Sequence, residues 1–170
     1  MDKPKLIIGD KAFSTWSLRP WLVLKHCGAE FDEVVIHLDQ PDTAAEIARY
    51  SGAGKVPVLV VDGVSIWDSL AISVWAAERY PNAGLWPTDA HARWVARSVT
   101  CEMHSAFGAL RSECGMGTDH PMVGPRGPAK VVSEALAADI RRLVTIFREC
   151  RDRWGEGGPY LFGAWSMADA

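Results

Sequence analysis

No apolar run in this chain approaches the ~18 residues a helix needs to cross a bilayer, so no membrane span is expected. There is no excess of basic charge either. The formal net charge is −3, which argues against nucleic acid or an anionic membrane surface as partner. Cysteine is sparse: Cys27, Cys101, Cys114 and Cys150 are the four. None forms C-x-x-C, and no histidine stands at zinc-finger spacing from a cysteine pair, so no metal site is implied. They read as reduced, buried thiols of a cytoplasmic protein. Met1-Asp2-Lys3-Pro4 leads straight into a strand-like segment, without the apolar stretch and small-residue cleavage site of a signal peptide. Internal repeats and low-complexity tracts are also missing.

What is present is a globular composition, 48% hydrophobic and 23% charged. The first half alternates strand and helix signals. Lys5–Ile8 is a short apolar run suited to a buried strand. Leu18 to Cys27 reads as a helix stopped by Gly28. Phe31 to Leu38 is strand-like, and Thr43-Ala44-Ala45-Glu46 matches a capping box opening a short helix. Val56 to Val61 and Val64 to Trp67 flank the tight-turn pair Asp62-Gly63, and Ser69 to Tyr80 reads as a helix capped by Ser69. The order βαβαββα implies a mixed sheet with helices on its faces. Residues 81–87 read as a linker. Beyond it, residues 88–170 show only helical periodicity. One long helix is expected from Thr88 or Asp89 to Cys114, with positions 95, 99, 103, 106 and 110 on its apolar stripe. A second should start near Pro128 and end at Gly155, burying Val132, Leu136, Ile140, Leu143, Val144 and Phe147. Residues 115–128, rich in Gly and Pro, read as a surface loop.

Three places can carry chemistry. Ser14-Thr15-Trp16-Ser17-Leu18-Arg19-Pro20 joins the first strand to the first helix, where ligands bind in open α/β sheets. A hydroxyl at that helix start can donate to a thiolate and lower its pKa. Taken alone, the same pattern reads as Ser17 capping the helix. Lys55-Val56-Pro57 opens a strand with a residue unable to donate to the ladder, a mark of an edge or a site; an ordinary trans proline fits equally. Asp68-Ser69 follows a strand and opens a helix, suiting a carboxylate ligand at Ser69 and an ammonium at Asp68, or simply a cap. In the second half, Arg97, Cys101, His104, Gly108 and Arg111 would share one face of the expected long helix. That face reads either as the lining of a second-substrate pocket or as a solvated or dimer-facing surface. His26, His37, His91 and His120 have no partner pattern.

Residues 5–80 resemble the thioredoxin-fold domain of glutathione transferases, nearest the serine-dependent, zeta-like branch. The resemblance lies in Ser14-Thr15-Trp16-Ser17-Leu18-Arg19, Val56-Pro57 and Trp67-Asp68-Ser69-Leu70-Ala71-Ile72. It continues in Gly158-Pro159-Tyr160-Leu161-Phe162-Gly163 and Ser166-Met167-Ala168-Asp169, which look like the approach to that family's sixth helix and its capping box. It implies a thioredoxin-like domain (1–80), a linker (81–87) and an all-helical domain (88–170) that is incomplete. Ser14 would be the thiol-activating hydroxyl, with Ser17 as its reserve. Val56 beside a cis Pro57 would bind the cysteinyl backbone of glutathione. Asp68 and Ser69 would hold its γ-glutamyl end, and Lys55 would meet a carboxylate.

The activity implied is a glutathione S-transferase reaction, with glutathione as co-substrate, no metal, and an alkyl or aryl electrophile as the other partner. A cytoplasmic homodimer acting in detoxification is the corresponding expectation. Two alternatives stand beside it: a cis-trans isomerase of the maleylacetoacetate type, and a non-catalytic glutathione-binding protein. Trp16 departs from the cysteine or small residue that zeta-type relatives carry, which bears against isomerisation. Because Ser166 and Asp169 look like the opening of a helix, the natural protein is expected to continue past Ala170. Met167 to Ala170 alone would form nothing stable.

Overall fold

The computed structural model describes residues 3–12, 14–114 and 132–170. They divide into two compact units, residues 1–85 with 170 and residues 86–169.

The first unit runs β1 (Lys5–Ile8), α1 (Thr15–His26), β2 (Asp32–Val35), α2 (Thr43–Ala48), β3 (Val58–Val61), β4 (Val64–Trp67) and α3 (Ser69–Arg79). This is the βαβαββα order expected. The sheet order is β2-β1-β3-β4. β1 pairs parallel with β2, in register from Lys5–Asp32 to Ile8–Val35, and antiparallel with β3, which pairs antiparallel with β4. That mixed sheet with its helices is a thioredoxin-like domain. Leu6, Ile7, Val58, Leu59, Val23, Leu24 and Ile72 are buried, so the central strands and the inner faces of α1 and α3 form the core. Asp62 and Gly63 both take positive φ, +48° and +79°, the requirement of a two-residue turn that matches strand twist.

Several helix starts differ from expectation. α1 begins at Thr15, so Ser14 holds the cap position and Ser17 sits inside the first turn. α2 is entered through Asp42. Thr43 Oγ1 instead donates to the His37 carbonyl and accepts from Gln40 N–H, pinning the loop after β2. α3 is capped by Asp68, whose Oδ1 accepts from Leu70 N–H at 2.8 Å; Ser69 is its first helical residue.

The second unit contains α4 (Ala90–Ser105), α5 (Gly108–Glu113) and α6 (Glu134–Trp154). Asp89 caps α4 through Ala92 N–H. The single long helix expected here is broken, because Phe107 turns left-handed (φ +63°, ψ +42°) and buries its ring with Ala92, Ala96, Val99 and Ile146. A buried aromatic outweighs helix continuity at that point. The start expected near Pro128 lies outside the described residues, as do residues 115–128. Within the described residues α6 opens at Glu134, with Ser133 Oγ accepting from Leu136 N–H.

The buried stripe of α6 also needs correcting. Leu136, Ile146 and Cys150 are buried and Leu143 packs against the core, while Val132, Ile140, Val144 and Phe147 are exposed. The expected stripe left out Ile146 and Cys150, which pack with Ala92, Ala96 and Val99 of α4 in one buried cluster. Arg142 bridges to Glu102 of α4 by paired bonds of 2.6 and 2.7 Å, holding the Glu102 carboxyl below its ordinary pKa.

At the end of this unit the Arg151 guanidinium donates to the Pro159 and Tyr160 carbonyls. Asp169 accepts from Leu161 N–H and Ser166 N–H at 3.0 and 2.9 Å. Met167–Asp169 forms one 3-10 turn. One carboxylate serving two backbone donors from outside Met167–Ala170 holds this turn.

Candidate functional site

β1 and β4 both run antiparallel to β3. The exits of β1 and β4 and the entry of β3 therefore share one sheet edge. With neighbouring strands about 4.8 Å apart, three segments meet within ~10 Å along it. These are the turn from Gly9 to Ser14, the Val56-Pro57 step, and the Asp68-Ser69 start of α3. Residues far apart in sequence are brought together by topology.

At the first segment Ser17 is buried, 3% exposed. Its Oγ accepts from Gly9 N–H at 3.0 Å and lies 2.8 Å from Ser14 Oγ. Ser14 is half-buried at the α1 cap and makes no side-chain cap bond. The first turn of a helix leaves N–H donors without an internal acceptor and carries the positive dipole end, favouring a nearby anion. The approach is tight. A Cβ on Gly9 would stand 2.8 Å from Leu38 Cδ1 and 3.1 Å from Ser14 Cβ, so glycine is needed for space. A cavity of about 100 Å³ adjoins the serines, lined also by Ile8, Lys11, Leu18 and Trp21.

At the second segment the Val56–Pro57 peptide bond is cis. Pro57 is buried, Val56 is half-buried, and Lys55 is exposed. Val56 stands two residues before the β3 ladder, which begins at Val58. At the third, Ser69 is buried at 3% exposure while Asp68 is exposed. Asp68 adopts φ +82°, ψ +134°, a region sparsely populated by any residue but glycine.

Two carboxylates that sequence reading missed brace this edge. Asp10 Oδ2 accepts from Leu38 N–H at 2.8 Å and Oδ1 pairs with His37 Nδ1 at 2.7 Å. The Leu38 bond above all, with His37 adding to it, holds Asp10 below the usual carboxylate range. His37 therefore does have a partner. Glu33 pairs with Lys11 and accepts from Trp21 Nε1 at 2.7 Å, and those bonds lower its pKa. Only its place two residues past the first strand marked Asp10 in the sequence; nothing local marked Glu33.

The second-half candidates separate. Arg97, Cys101 and His104 are on α4, Arg97 and Cys101 exposed and His104 half-buried. Arg97 lies over the Trp86 ring at 5.6 Å. Gly108 and Arg111 lie on α5, beyond the break, so continuous helical spacing does not carry the face to them. Arg111 turns back and donates from Nε to the Ala106 carbonyl at 3.1 Å and from its terminal nitrogen to the Met103 carbonyl. Among the described residues, no group of three or more His, Cys, Asp or Glu is placed to hold a metal ion. No helix there is long and apolar enough to cross a membrane.

Residues 13–79 match the model of the glutathione S-transferase N-terminal domain. A probable maleylacetoacetate isomerase from Caenorhabditis elegans is 31% identical over 110 residues, 65% of this chain and 50% of that protein. Glutathione S-transferase D7 from Drosophila melanogaster is 30% identical over 93 residues, 52% of this chain and 42% of that protein. The matches thus span about half the length of these curated relatives. A glutathione transferase homolog from Burkholderia, crystallised with bound glutathione, shares the fold with a TM-score of 0.68 at 22% identity, covering 98% of this chain and 75% of that one. The first unit is thus a thioredoxin-like domain whose residues 13–79 are similar to the glutathione S-transferase N-terminal domain, and the solved structure shares the fold.

Proposed function

We propose that this protein binds glutathione at the shared sheet edge and activates its thiol for attack on an electrophilic small molecule. The observation that carries the reading is the convergence there of a hydroxyl at a helix start, a strand-entry backbone, and a second helix start bearing a carboxylate. Ser14 donates to the sulfur and favours the thiolate, which is the nucleophile. The Val56 backbone, outside the ladder, pairs with the cysteinyl unit in the manner of an added strand. Asp68 takes the γ-glutamyl ammonium. The α3 N-terminus with Ser69 takes its carboxylate, and Lys55 takes the remaining one. Rate then comes from a stabilised anion and positioning. The bound glutathione of the Burkholderia structure supports the ligand. Arg97, Cys101 and His104 remain proposed contacts of the second substrate, and a cytoplasmic homodimer remains the proposed setting.

Isomerisation is the second reading, favoured by the match to a probable maleylacetoacetate isomerase. There the same thiolate adds reversibly to a double bond. Titration with glutathione across pH, following the thiolate's ultraviolet band, tests the common step. A bound thiol titrating well below the ordinary cysteine value of about 8.5 is expected. No binding, or a bound thiol that titrates as it does free in solution, would refute the reading. A panel of aryl halides, alkyl halides and cis-dienes then separates conjugation from isomerisation.

A further inference from the structure

The two serines at the α1 start need not be rivals for one role. Ser17 Oγ is buried, and among the described residues its polar neighbours are Gly9 N–H and Ser14 Oγ. A backbone N–H can only donate, so the Gly9 bond fills one lone pair of Ser17 Oγ and cannot reverse. The Ser17 proton is itself a buried donor and needs an acceptor. Ser14 Oγ, at 2.8 Å, is the acceptor within reach. If Ser14 donated instead, the Ser17 proton would be left buried without a partner, at a cost no exposed hydroxyl bears.

From this ordering we infer that Ser17 is a positioning residue: the Gly9 N–H and Ser17 Oγ–H form a one-way chain that turns the Ser14 proton outward to the glutathione sulfur. Ser14 is the half-buried member and the one that can meet a ligand. Each bond in such a chain polarises the next, so Ser14 O–H becomes a stronger donor than an isolated serine. The chain moves no proton. It removes the orientations in which Ser14 points its hydrogen away from sulfur, and it holds the hydroxyl before the ligand arrives. This inference rests on the reading of Ser14 given above.

The experiment measures the pKa of bound glutathione's thiol, with kcat and KM, for the full chain and for Ser14→Ala, Ser17→Ala, Ser17→Cys, Ser17→Thr and the double Ser14→Ala/Ser17→Ala. The wild type must first show a lowered thiol pKa that Ser14→Ala abolishes; otherwise the Ser14 reading fails before Ser17 is judged, and the chain falls with it. Given that result, Ser17→Ala should raise the thiol pKa and lower kcat by about tenfold, with KM for glutathione little changed. Ser17→Cys fills the same space with a weak donor and should behave as Ser17→Ala does, which covers the case of an alanine variant that fails to fold. Ser17→Thr keeps the hydroxyl and should restore the lowered pKa. The double variant should lose no more than Ser14→Ala alone, because Ser17 acts only through Ser14. A thiol pKa unmoved in Ser17→Ala and Ser17→Cys, or losses that add in the double variant, would overturn the inference. So would a thiol that responds to Ser17 variants while ignoring Ser14→Ala.

Discussion

Leu38, just past β2, donates its backbone N–H to the carboxylate of Asp10, just past β1, at 2.8 Å. Two parallel strands are thereby tied together beyond the end of their own ladder, beside the turn that carries Ser14. The bond favours the ionised carboxylate, so the folded-state pKa of Asp10 lies below its ordinary value of 3.8. Its stabilisation is fully present above that value and is lost as pH falls through the lower folded value. Asp10→Asn keeps one acceptor but not the charge. It should cost about 1 kcal/mol at neutral pH, with the two proteins converging in acid. Urea unfolding across pH checks this; a difference that does not shrink in acid would assign the cost elsewhere.

Asp68 pairs a useful cap with a costly backbone. Asp68→Asn retains an acceptor for Leu70 N–H, so stability should change by less than about 0.5 kcal/mol. Glutathione affinity should drop roughly tenfold, because the partner for its ammonium is gone. Asp68→Gly relieves a φ of +82° at the expense of the cap, two effects of about 1 kcal/mol each that nearly offset. Calorimetric titration beside thermal melting separates the two roles. Equal loss of stability and affinity in Asp68→Asn would reduce the residue to a cap.

On α6, Ile146 is 3% exposed and Phe147 is 46% exposed. Ile146→Ala should cost about 2–5 kcal/mol through the cavity it leaves. Phe147→Ala should cost under about 1 kcal/mol despite removing the larger side chain. Denaturant midpoints of the two variants give the comparison directly, and a reversed order would contradict the packing of this helix.

Arg111 spends its guanidinium on carbonyls at the end of α4. Arg111→Lys keeps the charge but cannot place two donors in a planar fork. It should lose about 1–2 kcal/mol of stability while KM for an electrophilic substrate stays within about twofold. A KM that rises with stability unchanged would return Arg111 to substrate binding.

The strands and helices of the first unit were legible because each is short, strongly patterned and bounded by Gly, Pro or Asp. The site was legible in pieces: a serine, a proline and an Asp-Ser pair each fit a mundane role, and only the strand directions bring them to one edge. The second unit was harder to read. α6 carries apolar residues around more than one face, at Leu136, Ile140, Leu143, Val144, Ile146, Phe147 and Cys150, and sequence spacing cannot choose among them without the surface they pack on. The break at Phe107 is a tertiary preference, since nothing between Ala106 and Gly108 forbids a helix. Asp10, Glu33 and His37 act through partners 12 to 28 positions away that no local window contains.

Gly9 leaves room for only a hydrogen between Leu38 and Ser14. A side chain at position 9 is therefore taken in only if Leu38 and Ser14 give way, although the glycine itself makes no side-chain contact. The Leu38 tip can swing aside, but the Ser14 Cβ is anchored on a helix start, so even a methyl group at position 9 would push the hydroxyl pair outward by a few tenths of an ångström. A mutational survey scored on folding alone would tolerate that shift, whereas one scored on thiol chemistry would register it. The vacant side of a glycine is in this sense part of the reaction's geometry, and the length of the tolerated list at position 9 measures how narrowly that geometry is set.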